Sequence, residues 1–126
     1  MNQDQLNRYR NNIISYVKCY PVKRNIVNLN THNSVEHEQI KFRICYELKK
    51  QGIHFVTEAK MHDGKKGIAD ILILDKGEVI EICVSETLDE VKEKVVKYPS
   101  MLEIVAVKDW NEYFSGNYKL IREKEM

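Results

Sequence analysis

Two carboxylates stand in sequence that is typical of buried β-strands. Asp70 opens one apolar run and Glu81 lies in the middle of the next, with the short turn of Lys76 and Gly77 between the runs. A charged residue is costly to bury, so its presence in an apolar strand indicates a purpose. Two carboxylates on adjacent strands can hold a divalent metal beside a phosphodiester. The pattern therefore predicts that a hairpin brings Asp70 and Glu81 together at a metal site.

Helices and strands alternate around these two residues. Apolar spacing predicts helices at 4–20, at 34–51 and at 87–97, with a short helix at 109–114. Ser34 and Ser85 are the candidate N-caps of the second and third helices. The pairing of Glu90 with Lys94, four residues later, predicts that both lie on the outer side of the third helix.

The remaining apolar runs predict the strands of one sheet. They lie at 25–29, 53–60, 69–74, 78–84 and 103–108, and a last strand or tail follows at 117–123. The helix between the strands at 78–84 and 103–108 requires that those two strands be parallel. The expected fold class is α/β, with a mixed central β-sheet flanked by helices.

Length and composition indicate one globular domain. The chain has 126 residues, of which 43% are hydrophobic and 31% are charged. We expect a basic N-terminal helix and arm at 1–33, a core at 34–108 and a C-terminal extension at 109–126. No apolar run is long enough to span a membrane, and the polar N-terminus lacks the apolar core of a signal peptide, so a cytoplasmic location is expected.

The sequence order resembles that of the PD-(D/E)XK nuclease superfamily, which includes restriction endonucleases and Holliday-junction resolvases. The likeness covers about residues 34–108, in the order helix–strand–strand–strand–helix–strand. Asp70 matches the first acid of the motif, with Ala69 in place of the proline, and Glu81 matches the second acid. The resemblance implies a restriction-endonuclease-like αβββαβ core. It also implies a DNA endonuclease that hydrolyses phosphodiester bonds with Mg²⁺ (or Mn²⁺) held by Asp70 and Glu81.

Cys83 departs from the motif because it stands where the family has a catalytic lysine. Cysteine cannot supply a permanent cation. His37 and Lys41 fall on the inward face of the second helix, so Lys41 is the predicted replacement and His37 a candidate metal or phosphate ligand. The family commonly places a helical acid near the metal, which makes Glu36 and Glu38 further candidate ligands. Alternatively, His37 caps the helix and Lys41 extends to solvent.

Four basic residues are candidate contacts with the DNA backbone. Lys65 and Lys66 lie between glycines in the loop before Asp70. Arg8 and Arg10 lie on the first helix, which could dock nucleic acid or form a homodimer with a second subunit. Both pairs could equally be ordinary solvent-exposed residues.

Three functions remain open at this point. The first is an active nuclease, and the second is a catalytically inactive relative that binds nucleic acid or a partner protein. The net charge of +1 favours the second, because strong DNA binders usually have a broad basic surface. The third is a small α/β interaction domain in which Glu81 forms a buried salt bridge with Lys41. The sequence contains no GxSxG, Walker, HExxH or GxGxxG motif, which excludes those classes of site.

Overall fold

The computed structural model describes residues 1–18, 22–61 and 67–125, which form four helices and five strands. In chain order these are α1 (Gln3–Ile14), α2 (Val35–Lys50), β1 (Phe55–Lys60), β2 (Ile68–Ile73), β3 (Glu78–Ile82), α3 (Leu88–Val95), β4 (Glu103–Val107), α4 (Trp110–Ser115) and β5 (Lys119–Arg122). Within these ranges no helix has the length and apolarity needed to cross a membrane.

The strands form one mixed sheet in the order β1-β2-β3-β4-β5. Strands β3 and β4 are parallel, and the other neighbouring pairs are antiparallel. Helix α3 makes the crossover between the parallel strands, so the predicted mixed α/β fold is confirmed. Residues of α1 and α3 pack on one face of the sheet, and residues of α2 and α4 pack on the other.

Helix α2 follows the sequence prediction closely. The Ser34 side chain accepts a hydrogen bond from the backbone N–H of His37 at 3.1 Å, which satisfies one of the free donors at the helix start. Ile44 and Leu48 are completely buried against the sheet. The chain leaves the helix at Gly52, whose φ of 72° favours glycine.

The other two long helices are shorter than predicted. Helix α1 ends at Ile14 because the Ser15 hydroxyl donates to the carbonyl of Asn12 and the following backbone forms turns. The predicted end of this helix near residue 20 lies outside the described residues. Helix α3 begins after Thr87, so the predicted cap Ser85 is wrong. Thr87 and Glu90 form a reciprocal capping box there.

The segment predicted as a strand at 25–29 is not a strand. Asn25 has a φ of 59°, which interrupts an extended backbone. The segment instead follows the edge strand β1 through hydrogen bonds of Asn25 with Phe55 and of the Thr57 side chain with the backbone. The Thr57 hydroxyl donates to the carbonyl of Ile26 and accepts from the N–H of Asn28.

Helix α1 packs on the turn that joins β2 to β3. The buried guanidinium of Arg10 donates from Nε and Nη2 to the two Asp75 oxygens at 2.8 and 2.9 Å. Asp75 also accepts from the backbone N–H of His54 at 3.0 Å. Gly77 in the same turn has a φ of 61°, and a Cβ there would lie 2.6 Å from the Tyr9 hydroxyl. Close packing and backbone conformation therefore both require glycine.

Removing the Asp75 carboxylate tests this attachment. We expect Asp75→Ala to lower the free energy of unfolding by about 2–3 kcal/mol, because it leaves Arg10 buried without its partner. Urea denaturation followed by circular dichroism measures the change. The control is Asp89→Ala in the exposed first turn of α3, expected to cost less than about 1 kcal/mol. Equal losses in the two variants would contradict the assignment.

Candidate functional site

Strands β2 and β3 separate where Asp70 and Glu81 lie. Their backbone pairing covers Ile71–Ile73 and Glu78–Ile80 and stops one residue short of the two acids. Asp70 Oδ2 instead accepts a hydrogen bond from the backbone N–H of Ile82 at 2.8 Å. The carboxylate therefore occupies the position of a missing sheet hydrogen bond, and the two predicted residues meet in the gap between the strands.

Glu81 is the most enclosed acid of the site, with 2% of its surface exposed. Its Oε2 pairs with Lys94 Nζ at 3.0 Å, and its Oε1 accepts from the Tyr98 hydroxyl at 2.8 Å. Burial and the neighbouring charge of Asp70 raise the pKa of Glu81 well above its usual value, although Lys94 opposes the shift. Glu81 therefore keeps its proton to higher pH than an exposed glutamate.

Asp70 is linked to helix α2 through His37. His37 Nε2 lies 3.3 Å from Asp70 Oδ2, and His37 Nδ1 lies 2.8 Å from Glu38 Oε2. Burial lowers the pKa of His37, but the hydrogen bonds and charges of Asp70 and Glu38 outweigh it and raise the pKa overall. Burial has the opposite effect on an acid and raises the pKa of Asp70. The interactions with His37, Lys94 and the N–H of Ile82 outweigh burial and hold this pKa below its usual value. The arrangement favours an imidazolium between two carboxylates.

Lys41, the predicted catalytic amine, is occupied elsewhere. Its completely buried ammonium lies 2.6 Å from Glu38 and 3.0 Å from Glu58, and donates to the carbonyl of Asn28 at 2.6 Å. Among the described residues, no hydrogen bond or ion pair joins Lys41 to Asp70 or Glu81. The open alternative that paired Glu81 with Lys41 is therefore wrong, and so is the alternative that extended Lys41 to solvent.

Glu58 reaches Lys41 because β1 is irregular at this point. The residues on either side of Glu58 pair with β2, but Glu58 itself, with a φ of 50°, does not. Val56 and Ala59, three residues apart, consequently pack on the same face of the sheet. Irregularities of this kind often redirect a side chain beside a functional site.

The remaining predicted residues are spread around the molecule. Glu36 is exposed near the start of α2, and Arg8 is exposed on α1. Arg10 is buried against Asp75, so its guanidinium faces the core instead of a nucleic acid. The loop residues Lys65 and Lys66 lie outside the described residues.

Cys83 is a neutral filler at the end of β3. It is buried, and its Sγ lies 3.7 Å from the carbonyl oxygen of Glu81. Burial and the nearby negative charges raise the pKa of the thiol to about 12. The side chain therefore carries no charge that could replace the lysine of the motif.

The amine that does reach the gap is Lys94, which pairs with Glu81 but was predicted to lie on the outer side of α3. That expectation is wrong because Lys94 belongs to the inward stripe formed with Val91 and Val95. The fourth member of the same spacing, Tyr98, follows in the turn after the helix. The helical spacing of Val91, Lys94, Val95 and Tyr98 in the sequence therefore already indicated that Lys94 faces inward.

Arg122 on β5 holds that turn in place. Its guanidinium donates to the carbonyls of Tyr98 and Leu102, both at 3.0 Å, and makes further bonds to the carbonyls of Val95 and Pro99. These bonds satisfy free carbonyls at the end of α3. Arg122 thereby fixes the segment that presents Lys94 and Tyr98 to Glu81.

The donor chemistry of the gap suits a hard cation, since carboxylate oxygens are the ligands that Mg²⁺ prefers. Within 1–18, 22–61 and 67–125, no group of three or more His, Cys, Asp and Glu residues is arranged to hold a metal ion. Proteins often bind Mg²⁺ through one or two carboxylates together with substrate phosphates.

No protein-family model matches the chain, and comparisons with curated proteins and with solved structures find no match either.

The protonation of His37 can be measured directly. We expect its pKa in the folded protein to lie above about 6.5, the ordinary value. A raised histidine pKa contributes stability that is present below about pH 6.5 and is lost as the pH rises through the folded-state value. An NMR titration of the imidazole resonances measures it. Asp70→Asn is expected to lower the pKa, because it removes a charge beside Nε2.

The control for this titration is Glu36→Gln, which removes an exposed acid next to His37 in sequence. It is expected to change the pKa of His37 less than Asp70→Asn does. A folded-state pKa below about 6.5 in the unmodified protein would contradict the assignment, as would equal effects of the two variants.

Proposed function

We propose that this chain is a metal-dependent DNA endonuclease of the PD-(D/E)XK superfamily with a restriction-endonuclease-like core. The observation that carries the proposal is the convergence of Asp70, Glu81 and Lys94 in the gap between β2 and β3. The order α2-β1-β2-β3-α3-β4 supports it, because it matches the helix and strand order of that superfamily. A site of two acids and one amine suits phosphodiester hydrolysis.

Asp70 and Glu81 are the residues that would hold Mg²⁺ or Mn²⁺. When bound, a divalent cation polarises a phosphoryl oxygen and lowers the pKa of a coordinated water. Glu81 serves as a ligand in its ionised form, and Lys94 must make room at its Oε2. His37 acts as a positioning residue, because its hydrogen bond orients the Asp70 carboxylate. Glu38 orients His37 in turn, while the exposed Glu36 has no comparable support as a metal ligand.

Lys94 takes the role that the resemblance had assigned to Lys41. Burial lowers the pKa of Lys94, but the charges of Glu81 and Asp70 outweigh it, so the ammonium stays protonated across the physiological range. A protonated amine cannot accept a proton from water. Its contribution is therefore a fixed positive charge that stabilises the charge developing on the phosphate. The hydroxyl of Tyr98 holds Glu81 from the other side.

A catalytically inactive module that binds nucleic acid or protein is the second candidate. It is favoured by the closure of the site, because Asp70 and Glu81 are only 5% and 2% exposed. Both oxygens of Glu81 are also bonded to protein groups. An active enzyme has to open this arrangement when a phosphodiester enters, whereas a binding module does not.

Mn²⁺ titration calorimetry combined with a plasmid-nicking assay separates the two candidates. We expect the unmodified protein to bind Mn²⁺ and nick plasmid, and Asp70→Asn to lose both properties. Lys94→Gln is expected to bind Mn²⁺ and nick about 10²- to 10³-fold more slowly, because it removes only the positive charge. The matched control is Lys92→Gln on the exposed side of α3, which should retain full activity.

The result of this experiment decides between distinct functions. Metal binding without nicking would favour the inactive module. Absence of Mn²⁺ binding would contradict the metal site and with it the nuclease. An equal loss of nicking in Lys92→Gln and Lys94→Gln would remove Lys94 from the mechanism.

The raised pKa of Glu81 predicts that metal binding depends on pH. Mn²⁺ should bind more tightly as the pH rises and should release a proton wherever Glu81 is still protonated, because the carboxyl must ionise to become a ligand. Calorimetry in two buffers of different ionisation enthalpy measures the proton release. In Glu81→Gln the affinity should be weaker and the proton release smaller. An affinity of the unmodified protein that does not change with pH would contradict this role for Glu81.

A further inference from the structure

An apolar groove lies at the start of α2, on the side away from the sheet. Its walls are Leu29, Val35 and Phe42, which are 74%, 74% and 55% exposed. The groove has a volume of about 470 Å³, within the range of roughly 300–1,000 Å³ that is typical of ligand sites. Side-chain amides, which can both donate and accept hydrogen bonds, also line it: Asn30, Asn33 and Gln39.

Hydrogen bonds connect this groove to the candidate active site. The backbone N–H of Asn30 donates to Glu38 Oε1 at 2.6 Å, and the side-chain amide of Asn33 lies 3.3 Å from Glu38 Oε2. Glu38 binds His37, which in turn binds Asp70. Two side chains, Glu38 and His37, therefore separate the groove from Asp70, and a strand with a phosphodiester at Asp70 can extend over the groove.

We propose that the groove binds an unpaired nucleobase of the strand whose phosphodiester lies at Asp70 and Glu81, so that the site prefers single-stranded segments of a nucleic acid over a fully paired duplex. This inference rests on the proposed function. The bases of a duplex are stacked inside the helix and cannot enter a groove beside the backbone. An unpaired base can stack on an aromatic ring and present its edge to amide groups. Phe42 supplies the ring, and Asn30 and Asn33 lie on the polar side.

The aromatic surface extends beyond the groove along α2. The ring of Tyr46 lies 6.1 Å from that of Phe42, one helical turn further on, and is also exposed. Successive aromatic side chains of this kind form stacking platforms for neighbouring bases.

The charge distribution favours a single strand over a duplex. The net charge of the whole chain is only +1. Among the described residues that line the groove, none is Lys or Arg. Duplex binding depends mainly on neutralising phosphates with basic residues, whereas base stacking gains affinity from an apolar aromatic surface. The groove therefore suits a base much better than it suits a phosphate backbone.

Fluorescence anisotropy on the cleavage-deficient Asp70→Asn protein tests the inference. The probes are a labelled 15-nucleotide DNA strand, the same strand in a duplex, and an RNA strand of the same sequence. We expect both single strands to bind more tightly than the duplex. Phe42→Ala should weaken single-strand binding at least about fivefold, because stacking of one base is worth about 1–3 kcal/mol. Phe42→Trp should restore it.

The control is Leu120→Ala, which removes an exposed apolar side chain of β5 that does not line the groove. It should leave the affinity unchanged. Circular dichroism establishes that Phe42→Ala is folded, as expected for a ring that is more than half exposed. The comparison of the two single strands shows whether the groove prefers DNA or RNA. A preference for either one supports the inference.

Three outcomes would overturn it. If the unmodified protein nicks plasmid but Phe42→Ala binds single strands as well as Asp70→Asn alone does, the groove assignment fails and the nuclease stands. If no probe binds and no nicking occurs, both fail. If Phe42→Ala instead abolishes a dimer seen by sedimentation without changing strand affinity, a second copy of the chain covers the groove.

Discussion

Burial of two carboxylates in the gap between β2 and β3 is the constraint around which the structure is arranged. An uncompensated charge inside a protein costs several kcal/mol, so Asp70 and Glu81 each require partners. The partners come from three places: the backbone N–H of Ile82, His37 on α2, and Lys94 with Tyr98 at the end of α3. A sheet with complete backbone pairing here would leave no room for them.

The two helices that supply these partners lie on opposite faces of the sheet. His37 contacts Asp70 from the α2 face and Lys94 contacts Glu81 from the α3 face, and the two acids meet because the strands have separated. Each helix is held by its own polar contacts. Lys41 and Glu58 fix Glu38 on one side, and Arg122 fixes the end of α3 on the other. The apolar layers give the sheet its position, and these buried polar contacts give the acids their orientation.

The sequence predicted those elements whose caps, apolar spacing and turn residues agree with the contacts that the elements make in the folded protein. Helix α2 has a cap, an apolar stripe and a glycine stop, and the hairpin that carries Asp70 and Glu81 has strand-like runs around a glycine turn. The role of Lys94 was not predicted, because a pairing with Glu90 on the helix surface accounted for this lysine without any contact to the sheet. The irregular shape of the segment 25–29 was missed for a related reason. Its strand propensity is overridden by the positive φ at Asn25, which is held by hydrogen bonds with Phe55.

The attachment of α1 has a consequence for the order in which the chain folds. Arg10 and Asp75 are separated by 65 residues, and Tyr9 contacts Lys124 across 115 residues. Contacts between such distant residues close large loops and form slowly. We therefore expect helix α1 to dock late, after β2, its turn and β3 have assembled. Until then the turn between the two acid-bearing strands lacks its cover. The docking of α1, with Tyr9 beside Lys124, therefore completes the support of the site.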